Sequence, residues 1–261
     1  MSRRQILGAL AVAGWWNTAF GQQTKPREYP TPGIREEQKI VVDGVVETWQ
    51  LKWLATPHPA CEPSLVSLAC PCTGFAYGEA GELTLVRLRN GHEIDRLPAP
   101  SFGGVIIQRW QPDWDRDFEA SERKGFATLV SKRPTVEVMH FADYDHDGQS
   151  SEFYLQTEAA PCGKSVGMVV GISRNNPRLH VFGTASKPNT PLYMRKIAWE
   201  ALQKASSPFE ITDWTCGDHG ADIESAIFLL WSPAGIEGNR REYECTADTT
   251  APRRLIKESP L

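Results

Sequence analysis

Apolar and polar residues alternate with a period of two along much of the chain, and this pattern predicts β-strands. The clearest example is the segment 82–97, "ELTLVRLRNGHEIDRL", in which Leu83 and Leu85 are interleaved with polar residues. Asn90 and Gly91 follow, and both residue types tolerate the positive φ angles of a tight turn. The segment therefore predicts a β-hairpin.

The same style of pattern recurs on both sides of this hairpin. In the segment 40–54, two strand-length runs are separated by Asp43-Gly44. In the segment 165–185, two more runs are joined at Asn175-Asn176-Pro177. Further predicted strands cover 135–141, 152–157, 209–217, 224–231 and 241–247. No internal repeat of solenoid or propeller period is present.

One segment has helical character. Thr190 can cap a helix, Pro191 suits its first turn, and "LYMRKIAWEALQKA" follows at 192–205. Ser206-Ser207-Pro208 then ends it. The chain is predicted to be mainly β, a β-rich α+β protein with antiparallel sheets, one or two helices and disulfides, with a single domain over residues 40–261.

The first 21 residues predict an export signal rather than part of the fold. Arg3 and Arg4 precede an apolar run, and Ala19-Phe20-Gly21 has the small-x-small pattern of a cleavage site. The stretch "SRRQIL" resembles the twin-arginine export signal, and an ordinary Sec signal is the alternative. We expect cleavage near Gly21 and a periplasmic or secreted protein. Residues 22–39 are polar and hold three prolines, so they predict a flexible leader.

Charge and hydropathy then limit the classes of partner. The formal net charge is −4, and loss of the two signal arginines makes it −6. Because an acidic chain without a basic stripe binds nucleic acid and anionic membranes poorly, neither is expected as a partner. After the signal, no apolar run approaches the ~18 residues that span a bilayer, so no membrane span is expected in the mature chain.

The six cysteines fit an oxidising compartment. An even number of cysteines in an exported protein predicts disulfides, although the sequence does not choose among the pairings. Cys70-Pro71-Cys72 could hold a soft metal instead, but no second cysteine or histidine pair stands at a zinc-like spacing. The cysteines are Cys61, Cys70, Cys72, Cys162, Cys216 and Cys245.

The strongest candidate for specific chemistry is "DYDHDGQS" at 143–150. Asp143, Asp145 and Asp147 stand at every second position, and Gly148 follows them. Calcium prefers carboxylate and carbonyl oxygens, and such a loop turns three side chains and the Gln149 carbonyl toward one ion. The ion would offset the repulsion among the carboxylates. The loop therefore predicts a calcium site.

The stretch resembles the DxDxDG calcium loop of EF-hands, dockerins and the blade loops of FG-GAP-type extracellular proteins. It departs from the EF-hand because Tyr154 replaces the glutamate of position 12, and because its flanks look like strands rather than helices. Blade-type loops carry an acid at position 9, which here is Ser151, with Glu152 one residue later. The resemblance thus implies Glu152 as a ligand, or else Ser151 or water. If calcium binds, we expect it mainly to hold two strands together rather than to take part in a reaction.

Other polar clusters are weaker candidates. The turn "TCGDHG" holds Asp218 and His219, which could act in catalysis or metal binding, but a disulfide-tied turn is commoner. His140 and His180 fit structural roles, and His146 is expected to be exposed. A second acidic run comprises Asp113, Asp115, Asp117 and Glu119, without a turning glycine. Five tryptophans could stack on sugars or belong to the core: Trp49, Trp53, Trp110, Trp114 and Trp231.

Two functional hypotheses remain open. The first is an exported calcium-binding β-rich protein of the cell envelope, with a binding or structural role and a glycan or protein as partner. The alternative is a periplasmic calcium-dependent hydrolase acting on a glycan or ester, with Asp218 and His219 in its site. The sequence has no G-x-S-x-G elbow, P-loop, dinucleotide glycine motif, H-E-x-x-H or C-x-x-C-H. Whether the protein is an enzyme is therefore left open.

Overall fold

A computed structural model describes residues 33–60, 78–97, 105–110, 132–160, 164–232, 235–246 and 252–261. The predicted export signal, the acidic run 113–119, Trp114 and four of the cysteines (Cys61, Cys70, Cys72 and Cys162) lie outside these residues. No helix in the part of the chain that the structure describes is long and apolar enough to cross a membrane.

The described residues form four antiparallel sheets and one α-helix. The strands are β1 (Ile34–Val42), β2 (Val45–Trp53), β3 (His58–Pro59), β4 (Gly78–Gly81), β5 (Leu83–Arg89), β6 (His92–Leu97), β7 (Val105–Gln108), β8 (Glu152–Ala160), β9 (Lys164–Ser173), β10 (Asn176–Val181), β11 (Met194–Arg195), β12 (Phe209–Trp214), β13 (Ile223–Ser232), β14 (Gly235–Glu244) and β15 (Leu255–Pro260), and the helix is α1 (Lys196–Lys204). The predicted mainly-β class is confirmed.

Two tight turns shape the first sheet, whose order is β1-β2-β5-β6. Asp43 and Gly44 join β1 to β2 with φ angles of 49° and 77°. Asn90 and Gly91 join β5 to β6 with φ angles of 51° and 78°, so the predicted hairpin is confirmed. Paired positive angles match the right-handed twist of the flanking strands.

The other three sheets are built mainly from chain neighbours. A small sheet has the order β3-β4-β7. In the third sheet, β9 pairs with β8 on one edge and with β10 and β11 on the other. The fourth has the order β12-β13-β14-β15 and carries the disulfide Cys216–Cys245, which confirms the prediction of disulfides for two of the six cysteines.

The third sheet separates two hydrophobic cores. On β8, Phe153 and Leu155 face the core shared with the first sheet, whereas Tyr154 faces a second core shared with α1 and the fourth sheet. On β9, Val170 belongs to the first core and Val169 to the second. Since β9 is buried on both faces, its sequence is a near-continuous apolar run rather than an alternating one.

Three local predictions need correction. The leader predicted for 22–39 ends earlier, because β1 begins at Ile34 and pairs with β2. The helix begins at Lys196, with Arg195 as its N-cap, because β11 pairs with Gly167 and Val166 of β9 and occupies the positions expected to be the first turns.

The third correction concerns the strand predicted for 135–141, which forms no continuous ladder. The Glu36 carboxylate instead accepts hydrogen bonds from the backbone N–H groups of Val138 and Met139, at 2.6 and 2.9 Å. The Arg35 guanidinium donates to the Val136 carbonyl at 2.9 Å. Side chains of β1 thus take the place of a neighbouring strand's backbone.

Candidate metal centre

The acidic loop is closed at its base by an isolated antiparallel bridge between Ala142 and Glu152. The Ala142 N–H donates to the Glu152 carbonyl at 2.8 Å, and the Glu152 N–H donates back at 3.3 Å. The loop therefore connects the extended segment before it directly to the first residue of β8.

Three carboxylates meet inside this loop. One oxygen each from Asp143, Asp145 and Glu152 lies within 4.8 Å of the others, an arrangement that could hold a metal ion. Asp145 is 7% exposed and Glu152 is fully buried. Because a buried carboxylate is costly unless it is paired, hydrogen-bonded or bound to a metal, this cluster is the clearest candidate site in the described residues.

The loop backbone wraps around its own acidic side chains. The two carboxylate oxygens of Asp143 accept hydrogen bonds from the N–H groups of Asp147 and Gly148, at 3.1 and 3.0 Å. Gly148 has a φ of 85° and His146 a φ of 56°. Gly148 thus makes the turn for which the sequence predicted it, since glycine adopts this conformation without a steric penalty.

Glu152 is held by two donors from different parts of the loop. The Tyr144 N–H donates to Oε2 at 2.8 Å, and the Ser151 hydroxyl donates to Oε1 at 2.8 Å. The Ser151 hydroxyl also lies 3.0 Å from the Ile172 carbonyl. Of the two residues that the sequence left open, the structure places Glu152 in the cluster and uses the Ser151 hydroxyl to position it.

Gly171 of β9 provides the room for Glu152, and sequence reasoning did not single it out. The two residues are directly opposite in the β8–β9 ladder. A Cβ atom on residue 171 would lie 2.3 Å from the Ser151 carbonyl oxygen and 2.7 Å from the Glu152 Cα. Only a glycine lets the two backbones approach this closely.

Burial and mutual repulsion shift the pKa values of two of these acids. Burial, with the Asp145 charge adding to it, raises the pKa of Glu152 to about 9. Burial, with the Asp147 charge adding to it, raises the pKa of Asp145 to about 6. These raised pKa values mean that, without an ion, the carboxyl groups tend to stay protonated. A bound cation would replace those protons and neutralise the carboxylates instead.

The side chains of the two other residues in the predicted ligand set, Asp147 and Gln149, bond to groups around the loop. The carboxylate of Asp147 accepts hydrogen bonds from the N–H groups of Gln149 and Arg174, at 2.8 and 2.6 Å. The Gln149 side chain donates to Asp43 at 3.2 Å. Asp147 thus anchors the loop to the β9–β10 turn, and Gln149 reaches the β1–β2 turn.

The histidines discussed above do not belong to the carboxylate cluster. His146 is exposed, as predicted, and its Nε2 atom is 3.1 Å from the Leu202 carbonyl oxygen. His140 is exposed beside Glu137. Burial lowers the pKa of His180, whose ring packs on Phe182 with the centroids 4.5 Å apart.

The other candidate residues belong to separate local structures. Asp218 forms an ion pair with Lys164, whose ammonium lies 3.7 Å from the centre of the Trp214 ring. Trp49 and Trp53 are core residues.

No family model, curated protein or solved structure matches this chain at a significant level. The functional proposal below therefore rests on the fold and on the acidic loop.

Proposed function

We propose that this is an exported calcium-binding β-rich protein of the cell envelope, in which calcium mainly stabilises the fold of a binding or structural module. The observation that carries the proposal is the meeting of Asp143, Asp145 and Glu152 oxygens within 4.8 Å of one another, with two of the three side chains buried.

The donor set favours calcium over other metals. All three groups are carboxylates, which are hard oxygen ligands, whereas structural zinc sites use cysteine and histidine. Magnesium retains several of its waters and is usually bound by only one or two carboxylates, whereas calcium takes six to eight oxygen ligands from the protein and water. A cluster of three carboxylates therefore suits calcium better.

The position of the loop supports a structural role. Asp143 and Asp145 follow the extended segment 136–142, whereas Glu152 begins β8. An ion bound by these three residues would link that segment to the third sheet. Because the unfolded chain lacks this geometry, binding energy adds directly to folding stability.

A melting experiment tests calcium binding. At ~100 times the dissociation constant, calcium should add roughly 2.7 kcal/mol of stability, so a chelator should lower the melting temperature by several degrees. Calcium should restore the melting temperature, and magnesium should restore it less. The measurement is calorimetry of the mature protein with chelator, with calcium and with magnesium.

Variants make this test specific. Glu152→Gln should abolish most of the calcium response while leaving the melting temperature in chelator unchanged, because an amide keeps the oxygen that accepts from Tyr144. Asp147→Ala should weaken the response by releasing the loop from Arg174. The matched control is Glu158→Gln, an exposed glutamate on the same strand. An identical melting curve with chelator and with calcium would refute the calcium site.

The hydrolase alternative has no specific observation in its favour among the described residues. Its expected carboxylate, Asp218, is paired with Lys164 and is not a member of the acidic cluster.

Export is a separate part of the proposal, supported by the twin-arginine-like segment and by a disulfide suited to an oxidising compartment. Replacing Arg3 and Arg4 together by lysine should block twin-arginine transport. Cell fractionation and immunoblotting of the tagged protein measure this. Normal amounts of mature protein outside the cytoplasm would assign the segment to the Sec pathway or to chance.

A further inference from the structure

A second site lies beside the acidic loop, in a cleft of about 530 Å³. Its walls are α1, the extended segment 136–142, the end of β7, and the face of β8 and β9 that carries Tyr154. This volume is in the range of small-molecule pockets, about 300–1,000 Å³. The residues that matter for its chemistry are Tyr144, Tyr154, Gln156, Ser165, Lys196 and Glu200.

The local sequence builds the floor of this cleft. Tyr154 and Gln156 share one face of β8 because side chains alternate along a strand. Gly167 of β9 lies opposite Gln156, and a Cβ atom there would be 2.8 Å from Cζ of the Tyr154 ring. The glycine thus lets the tyrosine ring lie across β9, and both Tyr154 and Gln156 line the cleft.

The floor holds a buried donor without a partner in the described part of the chain. The Gln156 Nε2 atom is buried and makes no hydrogen bond with the residues that the structure describes. The Tyr154 hydroxyl is buried beside the Ser165 side chain; burial raises the pKa of Tyr154, and a hydrogen bond from Ser165 lowers it by less. Because an unsatisfied buried donor is costly, a ligand acceptor that reaches Gln156 would offset that cost.

The mouth of the cleft carries balanced charge. Lys196 and Glu200 stand one helical turn apart on α1, with Nζ and Oε1 at 3.6 Å and both side chains about half exposed. Lys204 and Glu137 add one further charge of each sign. A charged ligand would therefore meet repulsion as well as attraction, and an uncharged polar ligand is favoured.

We propose that this cleft binds a short uncharged saccharide. Sugar hydroxyls both donate and accept, so they satisfy the Gln156 amide and the Tyr154 hydroxyl together. Tyr144 and Tyr154 are mostly buried but line the cleft, so C–H groups of a pyranose would contact the small exposed part of their side chains. This site goes beyond the calcium site and does not use its carboxylates.

Isothermal titration calorimetry with three neutral disaccharides (cellobiose, maltose and N,N′-diacetylchitobiose) tests the proposal. At least one should bind with a dissociation constant of about 1 mM or lower, which corresponds to about −4.1 kcal/mol. An acidic disaccharide, digalacturonate, should bind at least tenfold more weakly than the best neutral one. Titrations run in calcium and again in chelator keep this result separate from the calcium site, which is tested by melting.

Variants distinguish a binding group from a structural one. Gln156→Leu should weaken saccharide binding at least tenfold without lowering the melting temperature, because it removes an amide that has no partner. Tyr154→Phe should weaken binding while keeping the ring. Asn239→Leu, an exposed amide on β14 that pairs with Glu258, should leave binding unchanged.

Three outcomes would overturn the proposal. The first is no measurable heat with any of the three neutral disaccharides at concentrations up to about 10 mM. The second is unchanged affinity in Gln156→Leu. The third is binding of indole in the absence of saccharide binding, which would make the cleft an apolar pocket.

Discussion

At the scale of single residues, Gly171 lies opposite Glu152 of the candidate metal centre, and the two backbones leave no room for a Cβ atom on residue 171. The glycine allows the backbone of β9 to approach the Ser151 carbonyl, and this approach sets the depth at which the Glu152 carboxylate is buried. The position of one ligand in the loop thus depends on a residue that carries no polar side chain.

Gly171→Ala should therefore disturb both stability and the metal site. The new Cβ atom would stand 2.3 Å from the Ser151 carbonyl oxygen, so the strands must separate. We expect a loss of about 1–3 kcal/mol in the free energy of unfolding, which is typical of overpacking, together with a smaller calcium response. Urea denaturation with and without calcium measures both quantities.

The control is Gly91→Ala, at a tight turn where a Cβ atom would meet nothing within 4 Å. This variant also loses stability, because its φ of 78° disfavours alanine, but its calcium response should equal that of the wild type. Equal calcium responses in the two variants would contradict the role assigned to Gly171.

At the scale of elements, part of the segment 135–141 depends on Glu36 for its backbone hydrogen bonds. This glutamate accepts from two N–H groups that belong to well-buried residues, Val138 and Met139. The segment lines the proposed saccharide cleft and leads into the acidic loop. Its position is thus set by the β1 side chains Glu36 and Arg35 together with the bond from the Val136 N–H to the Arg109 carbonyl.

Glu36→Ala should leave these two backbone donors unsatisfied. Each buried unsatisfied group costs about 1–3 kcal/mol, so we expect a large fall in the free energy of unfolding. Amide hydrogen exchange at Val138 and Met139 should accelerate more than exchange in β9. Lys39→Ala, at an exposed position of the same strand, is the control, and an equal effect of the two variants would argue against this interpretation.

The same segment shows where sequence reasoning succeeds and where it stops. The hairpins at Asp43-Gly44 and Asn90-Gly91 could be predicted because their turn residues and strand patterns are local. The alternation in 135–141 indicated a strand, but Val138 and Met139 of that segment bond to a side chain in β1, about a hundred residues earlier in the chain. A pattern of apolar positions carries no information about such a partner.

The acidic loop follows the same division. The spacing of Asp143, Asp145 and Gly148 is a local signal, and the structure brings Asp143 and Asp145 together with Glu152. The contacts of Asp147 with Arg174 and the close approach of Gly171 depend on β9 and the turn after it. The local sequence of the loop or of β9 does not show how the two segments pair. The cleft beside Tyr154 could not be predicted either, because it forms between elements that are distant in sequence.

At the scale of the whole molecule, a buried ionic network joins the first sheet to the third. The Arg87 guanidinium donates to both oxygens of Glu47, at 2.8 and 3.0 Å, and to the Pro177 carbonyl at 2.6 Å. Asp95 accepts from the Leu179 N–H of β10 at 2.6 Å. Both acids and Arg87 are almost fully buried, so this network fixes how the two sheets meet.

This network predicts a stability that falls in acid. Burial by itself would raise the pKa of Glu47, but hydrogen bonds from Arg87, Arg89 and Trp49 outweigh it and lower that pKa below the ordinary value of 4.5. A lowered pKa means that the Glu47 contribution is complete above pH 4.5 and is lost as the pH falls through the native-state value. Replacing Glu47 should therefore lower the free energy of unfolding at neutral pH and lower it by less in acid.

Glu47→Gln should cost about 3–5 kcal/mol near pH 7, because it leaves the buried Arg87 without its main partner. The difference from the wild type should narrow as the pH falls below 4.5, which denaturation at a series of pH values measures. Glu93→Gln, which removes the solvent-exposed pair with Arg96, should have little effect at any pH. A constant difference between wild type and Glu47→Gln across the series would contradict the assignment.

The third sheet also determines how the molecule unfolds. Because β8 and β9 form a wall of both hydrophobic cores, neither core can open without exposing apolar side chains of the other. We therefore expect the described part of the molecule to unfold as one cooperative unit instead of in two halves. An ion bound where β8 begins would then stabilise both cores against unfolding, although it touches only one loop.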